Sequence, residues 1–151
     1  QKYFFDKSLF RPRIKQIEYF LLSNKKTNCQ IYKFAFITNE MISYNAPINF
    51  LEKDSDWHLI YISKGEKKTD IDTKLLSFVN DLNNLYSKEW DKIYLITLDR
   101  DLINSFLITF KPYPQTELFF ITQPDDDLLE LKLGLKKHED DDFEINIFYR
   151  T

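Results

Sequence analysis

The fold is decided between residues 90 and 123, where three apolar runs follow one another: WDKIYLITL at 90–98, NSFLITFK at 104–111 and TELFFITQ at 116–123. Aromatic and β-branched residues, which favour strands, dominate all three runs. The first separator is Asp99, Arg100 and Asp101, and the second contains Pro112 and Pro114. Because short polar or proline-bearing separators are typical of neighbouring antiparallel strands, this stretch predicts a three-stranded meander.

Two helices are predicted around this meander, at 9–26 and 72–88, because apolar residues recur there at helical spacing. Two further strands are predicted at 29–37 and 57–63. We therefore expect an α+β fold in which a single mostly antiparallel sheet carries both main helices on one face. A chain of 151 residues can bury one core of this kind, so we expect a single domain over 1–151.

The C-terminal region admits two interpretations. Apolar and polar residues alternate strictly at 129–136 and again at 143–150, which favours a hairpin with its loop at 138–142. A helix at 125–137 is the alternative, since three aspartates would lie at its positive end and leucine is a good helix former. We expect the hairpin.

Composition limits the classes of function. The chain has two glycines, so it has no glycine-rich loop for phosphate or dinucleotide binding. Its single cysteine, Cys29, excludes an internal disulfide and any zinc motif based on cysteine pairs. A lone thiol and the lack of an 18-residue apolar run indicate a cytoplasmic protein without a membrane-spanning helix. Whether a leader precedes Gln1 stays open.

Charge is unevenly distributed along the chain. Residues 1–40 carry a net charge of +5, residues 41–120 carry −3 and residues 121–151 carry −5. The net charge of −3 argues against nucleic acid as the partner, because nucleic-acid-binding domains are usually basic. The acidic C-terminal part instead suits a basic protein partner.

Candidate catalytic residues are few. Cys29 and His58 could in principle be a thiol nucleophile and its base, but each begins an apolar strand, where a structural role is the simpler interpretation. Glu130 and Lys132 on one strand face, with Asp99 or Asp101 as a second carboxylate, resemble the metal-dependent PD-(D/E)xK nucleases. That nuclease is the alternative function. Our main expectation is a protein without enzyme activity, cofactor or metal.

A family resemblance supports a binding function. The helix at 72–88 leads directly into Glu89, Trp90, Asp91 and Lys92, and aromatic residues including Phe106 follow. Residues 70–122 resemble the YezG-like immunity proteins, which neutralise secreted bacterial toxins. The chain departs from that family in residues 1–70 and in its alternating acidic C-terminal segment, so no site residue is transferred. The resemblance implies a cognate protein toxin as the partner.

We therefore expect an immunity protein that neutralises its toxin, for example a nuclease, by stoichiometric binding. A generic small interaction domain is a further alternative. Tight interfaces combine aromatic anchors with charged rims, and proline-bearing loops are suitable places for exposed anchors. The partner-binding residues expected on this basis are Tyr44 and Tyr113 as anchors, with Asp125, Asp126, Asp127, Glu139, Asp140, Asp141 and Asp142 as the charged groups.

Overall fold

A computed structural model describes residues 9–37, 48–61, 68–85, 91–97, 99–139 and 144–151. The chain divides into two units, Gln1–Lys67 and Lys68–Thr151. In the described residues the first unit holds a two-stranded parallel sheet and the second a four-stranded mixed sheet, each with helices. The predicted α+β class is confirmed, and the single mostly antiparallel sheet is wrong. A single domain over 1–151 stays a prediction.

The described residues of the first unit form a short parallel strand pair and one long α-helix. Its elements are α1 (Phe10–Ser23), β1 (Phe34–Ile37), a π-helix (Phe50–Asp54) and β2 (His58–Tyr61). The register of β1 and β2 runs from Phe34 opposite His58 to Ile37 opposite Tyr61. The predicted helix at 9–26 is confirmed but ends earlier, at Ser23, where the Asn24 side chain donates to the carbonyl oxygen of Phe20 at 2.8 Å.

Phe50 organises the described core of the first unit. Its ring meets that of Phe10 edge-on, with centroids 6.4 Å apart. The cationic groups of Arg11 and Lys15 lie 5.0 and 5.3 Å from the same ring. Residues four apart share a helix face, so α1 presents both cations to the ring. The buried apolar residues here are Phe10, Ile14, Ile17, Ile37, Ile48, Phe50 and Leu51.

The second unit contains α2 (Lys68–Leu85), β3 (Lys92–Ile96), α3 (Arg100–Thr109), β4 (Glu117–Ile121), a 3-10 helix (Asp126–Leu131), β5 (Gly134–Glu139) and β6 (Glu144–Tyr149). The strand order of its sheet is β3-β4-β6-β5. Strands β3 and β4 are parallel, whereas β6 is antiparallel to both β4 and β5. The predicted helix at 72–88 therefore corresponds to α2.

The predicted strand at 104–111 is wrong, because these residues belong mostly to α3. Leu102, Ile103, Phe106 and Phe110 are buried, and their spacing follows a helical face. Asp99 begins the helix, since its side chain accepts a hydrogen bond from the backbone N–H of Asp101. The meander is consequently replaced by a strand–helix–strand crossover, which is the connection that parallel strands require.

The C-terminal hairpin is confirmed, with β5 and β6 paired from Gly134 opposite Tyr149 to Glu139 opposite Glu144. Its first strand begins at Gly134 rather than at residue 129. The 3-10 helix takes residues 126–131 and buries Leu128 against the core. The region thus contains both a short helix and the hairpin.

One face of the four-stranded sheet carries a buried apolar cluster of the second unit. Phe120 of β4 lies beside Phe148 of β6, and both pack with Phe106 of α3. Leu75, Leu76 and Val79 of α2 pack against the same cluster. Helices α2 and α3 therefore cover one face of this sheet, whereas α1, expected there too, belongs to the first unit.

Arg150 fixes the end of the crossover helix. Its guanidinium donates to the carbonyl oxygens of Phe110 at 2.8 Å and Tyr113 at 2.9 Å, and also to that of Thr116. Phe110 caps the C-terminus of α3, where carbonyl oxygens have no partner within the helix. The backbone N–H of Arg150 also donates to the carbonyl oxygen of Leu118 in β4. One residue after β6 thus joins α3 to the strand that follows it.

Replacing Arg150 with alanine should lower the free energy of unfolding by about 2–4 kcal/mol, because charge-assisted hydrogen bonds to half-buried carbonyl oxygens are lost. Arg150→Lys should lose less unfolding free energy than Arg150→Ala, but it should not match the wild type, because an ammonium cannot bind all three oxygens as the guanidinium does. Urea unfolding measures the effect. The control is Lys111→Ala, at an exposed cation nearby, and a loss equal to that control would contradict the role given to Arg150.

Gly134 makes room for an aromatic ring. A Cβ at this position would overlap the ring of Tyr149, its directly paired residue. The Lys136 ammonium lies 5.3 Å from the centroid of the same ring. The ring therefore covers the glycine and cannot move without losing this cation contact.

Gly134→Ala should therefore destabilise the protein by about 1–3 kcal/mol, as other overpacking substitutions do. In a Tyr149→Ala background the same change should be neutral or stabilising, because the overlap no longer exists. Thermal or urea unfolding of the four proteins in this double-mutant cycle gives the coupling. Equal costs in both backgrounds would show that Tyr149 does not restrict position 134.

Candidate functional site: an acidic sheet edge

The carboxyl ends of β3 and β4 meet at one edge of the sheet because the two strands are parallel. In sheets with parallel strands, this edge is where binding sites are commonly formed. The residues that follow β3 begin with Thr97, and those that follow β4 begin with Thr122. Both threonines are buried, and the Thr97 N–H donates to the carbonyl oxygen of Ile121 at 3.2 Å. The edge is therefore fixed by backbone hydrogen bonds.

Asp99 and Asp101 lie just beyond Thr97. The Asp99 N–H donates to Thr97 Oγ1 at 3.1 Å, and Asp99 Oδ1 accepts from the Asp101 N–H at 2.9 Å. A carboxylate at the start of a helix is stabilised by the free N–H groups and the helix dipole. Both acidic residues are therefore held at the N-terminus of α3 for structural reasons.

Glu130 reaches the same region from the segment after β4. The carbonyl oxygen of Asp125 accepts from the Leu128 N–H at 3.1 Å in the 3-10 helix. In that helix Glu130 Oε2 lies 3.5 Å from the Arg100 guanidinium, which is also 3.8 Å from Asp101 Oδ1. Because Asp101 and Glu130 are mostly exposed, these ion pairs contribute at most about 1 kcal/mol each.

We call this surface the acidic edge and define it by Asp99, Asp101, Asp125, Asp126 and Glu130. Arg100 lies between Asp101 and Glu130. A large apolar side chain stands beside the charges: Leu129, in the same 3-10 helix as Asp126 and Glu130, is 76% exposed. The apolar surface of this side chain is removed from water only when another molecule binds over it. The edge therefore combines an apolar centre with negative charge, the composition of many protein interfaces.

The predicted partner-binding residues fall into several places. Asp125 and Asp126 are exposed on the acidic edge, and Glu139 is exposed at the end of β5. Asp127 lies in the 3-10 helix, with its side chain outside the described set. Tyr113 is half-buried, its ring 6.1 Å from that of Phe110, so it is not the exposed anchor that was expected. Outside the described residues lie Tyr44, Asp140, Asp141 and Asp142.

The geometry expected for a nuclease is not formed by Glu130 and Lys132. Glu130 lies in the 3-10 helix and Lys132 in the following turn, with a positive φ of 52°, so the two do not share a strand face. Asp101 does come close to Glu130, but the Arg100 guanidinium lies between them. No group of three or more His, Cys, Asp or Glu in the described residues is arranged to hold a metal ion.

Tyr94 of β3 has a perturbed environment. Its ring stacks on that of Phe119, with centroids 4.7 Å apart. Burial, together with the negative charge of Glu117, raises the pKa of the Tyr94 hydroxyl above its ordinary value.

Sequence reasoning missed Arg100 and Leu129 as parts of this surface. Arg100 was interpreted as part of a strand separator, although an acidic residue on each side is also typical of a helix start. Leu129 was assigned to the apolar face of a strand. The alternation at 129–136 conceals a 3-10 helix in which Leu128, not Leu129, is buried.

Replacing Asp125 and Asp126 together with asparagine should change the free energy of unfolding by no more than about 0.5 kcal/mol, because both side chains are exposed. Chemical unfolding at low and high salt checks this. The matched control is Asp99→Ala, which should cost more, since the N-cap side chain accepts a backbone hydrogen bond that alanine cannot accept. A loss of several kcal/mol in the double variant would mean that these aspartates hold the fold together.

Among the described residues, no helix is long and apolar enough to cross a membrane.

No protein-family model, curated protein or solved structure gave a match to this chain. The acidic edge is therefore characterised by its own geometry alone.

Proposed function

We propose that this chain is an immunity protein, which neutralises a cognate bacterial toxin in the cytoplasm by forming a stoichiometric complex through the acidic edge. The observation that carries the proposal is Leu129, which is 76% exposed in the same 3-10 helix as Asp126 and Glu130. An exposed leucine in an acidic segment suits an interface anchor with a charged rim.

The charge of the two units supports a basic partner. Gln1–Lys67 carries a net charge of +4, whereas Lys68–Thr151, which contains the acidic edge, carries −7. A strongly acidic surface attracts a basic protein over several ångströms and raises the association rate. Toxins that act on nucleic acid are typically basic, because they bind phosphate. A nuclease toxin is therefore the partner class that the charge favours.

The arrangement of its carboxylates also suits the acidic edge to inhibiting a toxin by binding it, rather than by catalysing a reaction. Its carboxylates are spread along two segments, 99–101 and 125–130, instead of converging on one point. The buried threonines and the α3 N-terminus hold these segments in place, so little conformational freedom is lost when a partner binds. A rigid charged surface of this kind can cover a basic cleft.

The test begins with the gene next to this one. The purified chain should form a one-to-one complex with a basic toxin domain encoded beside it, and co-expression should rescue growth. Isothermal titration calorimetry gives the stoichiometry and affinity. If the neighbouring domain is toxic and this chain neither binds it nor rescues growth, the proposal is wrong.

Variants locate the interface. Leu129→Ala should weaken binding at least tenfold, mainly by faster dissociation, because it removes an anchor. Asp125→Asn with Asp126→Asn should mainly slow association and reduce its dependence on salt. The matched control is Ile108→Ala on α3, where the side chain is 65% exposed and eight residues beyond Arg100. If Ile108→Ala and Leu129→Ala weaken binding equally, the acidic edge is not the interface.

A further inference from the structure

A polar cluster in the first unit is built around Lys33, just before β1. We call it the Lys33 cluster and define it by Glu18, Lys33, Ser55 and Trp57. The Lys33 ammonium donates to Glu18 Oε2 at 3.1 Å and to the carbonyl oxygen of Ser55. It also lies 5.9 Å from the centroid of the Trp57 ring. The cluster therefore joins α1 to the segment between the π-helix and β2.

The cluster is largely removed from solvent. The side chains of Lys33 and Glu18 are only 22% and 16% exposed, and Ser55 is 4% exposed. Opposite charges at this depth are stabilised only when their remaining hydrogen-bonding positions are also occupied. The direct contacts around Lys33 occupy one oxygen of the Glu18 carboxylate and leave the other.

Three atoms of the Lys33 cluster are buried without a hydrogen-bond partner in the described protein: Glu18 Oε1, Ser55 Oγ and Trp57 Nε1. Their chemistry differs. A carboxylate oxygen only accepts, an indole N–H only donates, and a hydroxyl does both. Three such atoms on residues that surround one ammonium are more than chance burial, since native proteins leave few polar groups unsatisfied.

The identity of the missing partner follows from these roles. A cation could not accept from the Trp57 N–H, and an anion could not donate to Glu18 Oε1. An apolar group could do neither. A single partner that serves all three atoms must be small, neutral, and able to donate and accept at once. Water has all of these properties, and buried waters typically make about three hydrogen bonds to such groups.

We propose that the Lys33 cluster is a binding site for ordered internal water, which accepts from Trp57 Nε1–H and Ser55 Oγ–H and donates to Glu18 Oε1. The water completes the hydrogen bonding of the Glu18–Lys33 ion pair. It thereby links α1, the residue before β1 and the segment before β2 through a polar network. Lys33 is then a structural cation whose charge is neutralised by Glu18 and which lies beside an ordered internal water.

The direct test is NMR on the wild-type protein labelled with nitrogen-15. The chain has two tryptophans, so Trp57→Phe assigns the Trp57 indole resonance by its loss. We expect a cross-peak between the Trp57 indole proton and water, with the NOE sign of a molecule that stays bound for longer than a nanosecond. An indole proton without that cross-peak would overturn the proposal.

A stability measurement provides an independent test. A Ser55 hydroxyl that binds water and one that has no partner predict different effects of Ser55→Ala on the unfolding equilibrium constant. If Ser55 Oγ binds water, Ser55→Ala should raise the unfolding equilibrium constant about fivefold. If Oγ has no partner, removing it should leave the constant unchanged or lower it, since a buried unsatisfied hydroxyl is eliminated. The matched control is Ser23→Ala, at an exposed serine of α1, which should change the constant by no more than about twofold. An unchanged or lower constant for Ser55→Ala would overturn the proposal.

Discussion

Three carbonyl oxygens between the end of α3 and the start of β4 converge on the guanidinium of Arg150, and the arrangement of the second unit depends on this contact. A parallel pair such as β3 and β4 can form only if the intervening chain crosses over the sheet and returns. Here that crossover is a ten-residue helix followed by a tight turn. Within the turn, the Tyr113 N–H donates to the carbonyl oxygen of Phe110 and the Thr116 N–H donates to that of Tyr113. Arg150, one residue beyond β6, binds the same two carbonyl oxygens and so secures the segment between α3 and β4.

The acidic edge follows from the same topology. Because β3 and β4 are parallel, the segments after both strands are brought to one edge, and each segment is acidic for its own local reason. Asp99 caps α3, whereas Asp125 and Asp126 introduce a 3-10 helix. An antiparallel meander would have put a third strand between these two segments, whereas the crossover makes β3 and β4 direct neighbours. The proposed binding surface thus depends on the crossover and not on any single residue.

The sequence predicted the elements better than their arrangement. Hydrophobic periodicity located α1, α2, β4 and the hairpin, because each has one buried face with a clear period. It failed at 104–111, where aromatic and β-branched residues suit a strand but Asp99 and tertiary packing favour a helix. Replacing one strand by a helix changes the connection from antiparallel to parallel, so the sheet prediction failed with it. The charged residues of the candidate site were recognised in part, since charge is visible in sequence. Leu129 was not, because its exposure depends on the turn of a 3-10 helix.

The position of β6 in the sheet has a consequence for synthesis. Strand β6 is synthesised after both β4 and β5, yet it lies between them and pairs with both. Until it arrives, β4 has one open edge, and Phe120 lacks its neighbour Phe148. The nascent second unit therefore exposes an apolar strand edge for the time needed to translate about thirty residues, a state that chaperones bind and that aggregation exploits. Chaperone binding to the emerging chain would therefore prevent this open strand edge from pairing with other chains.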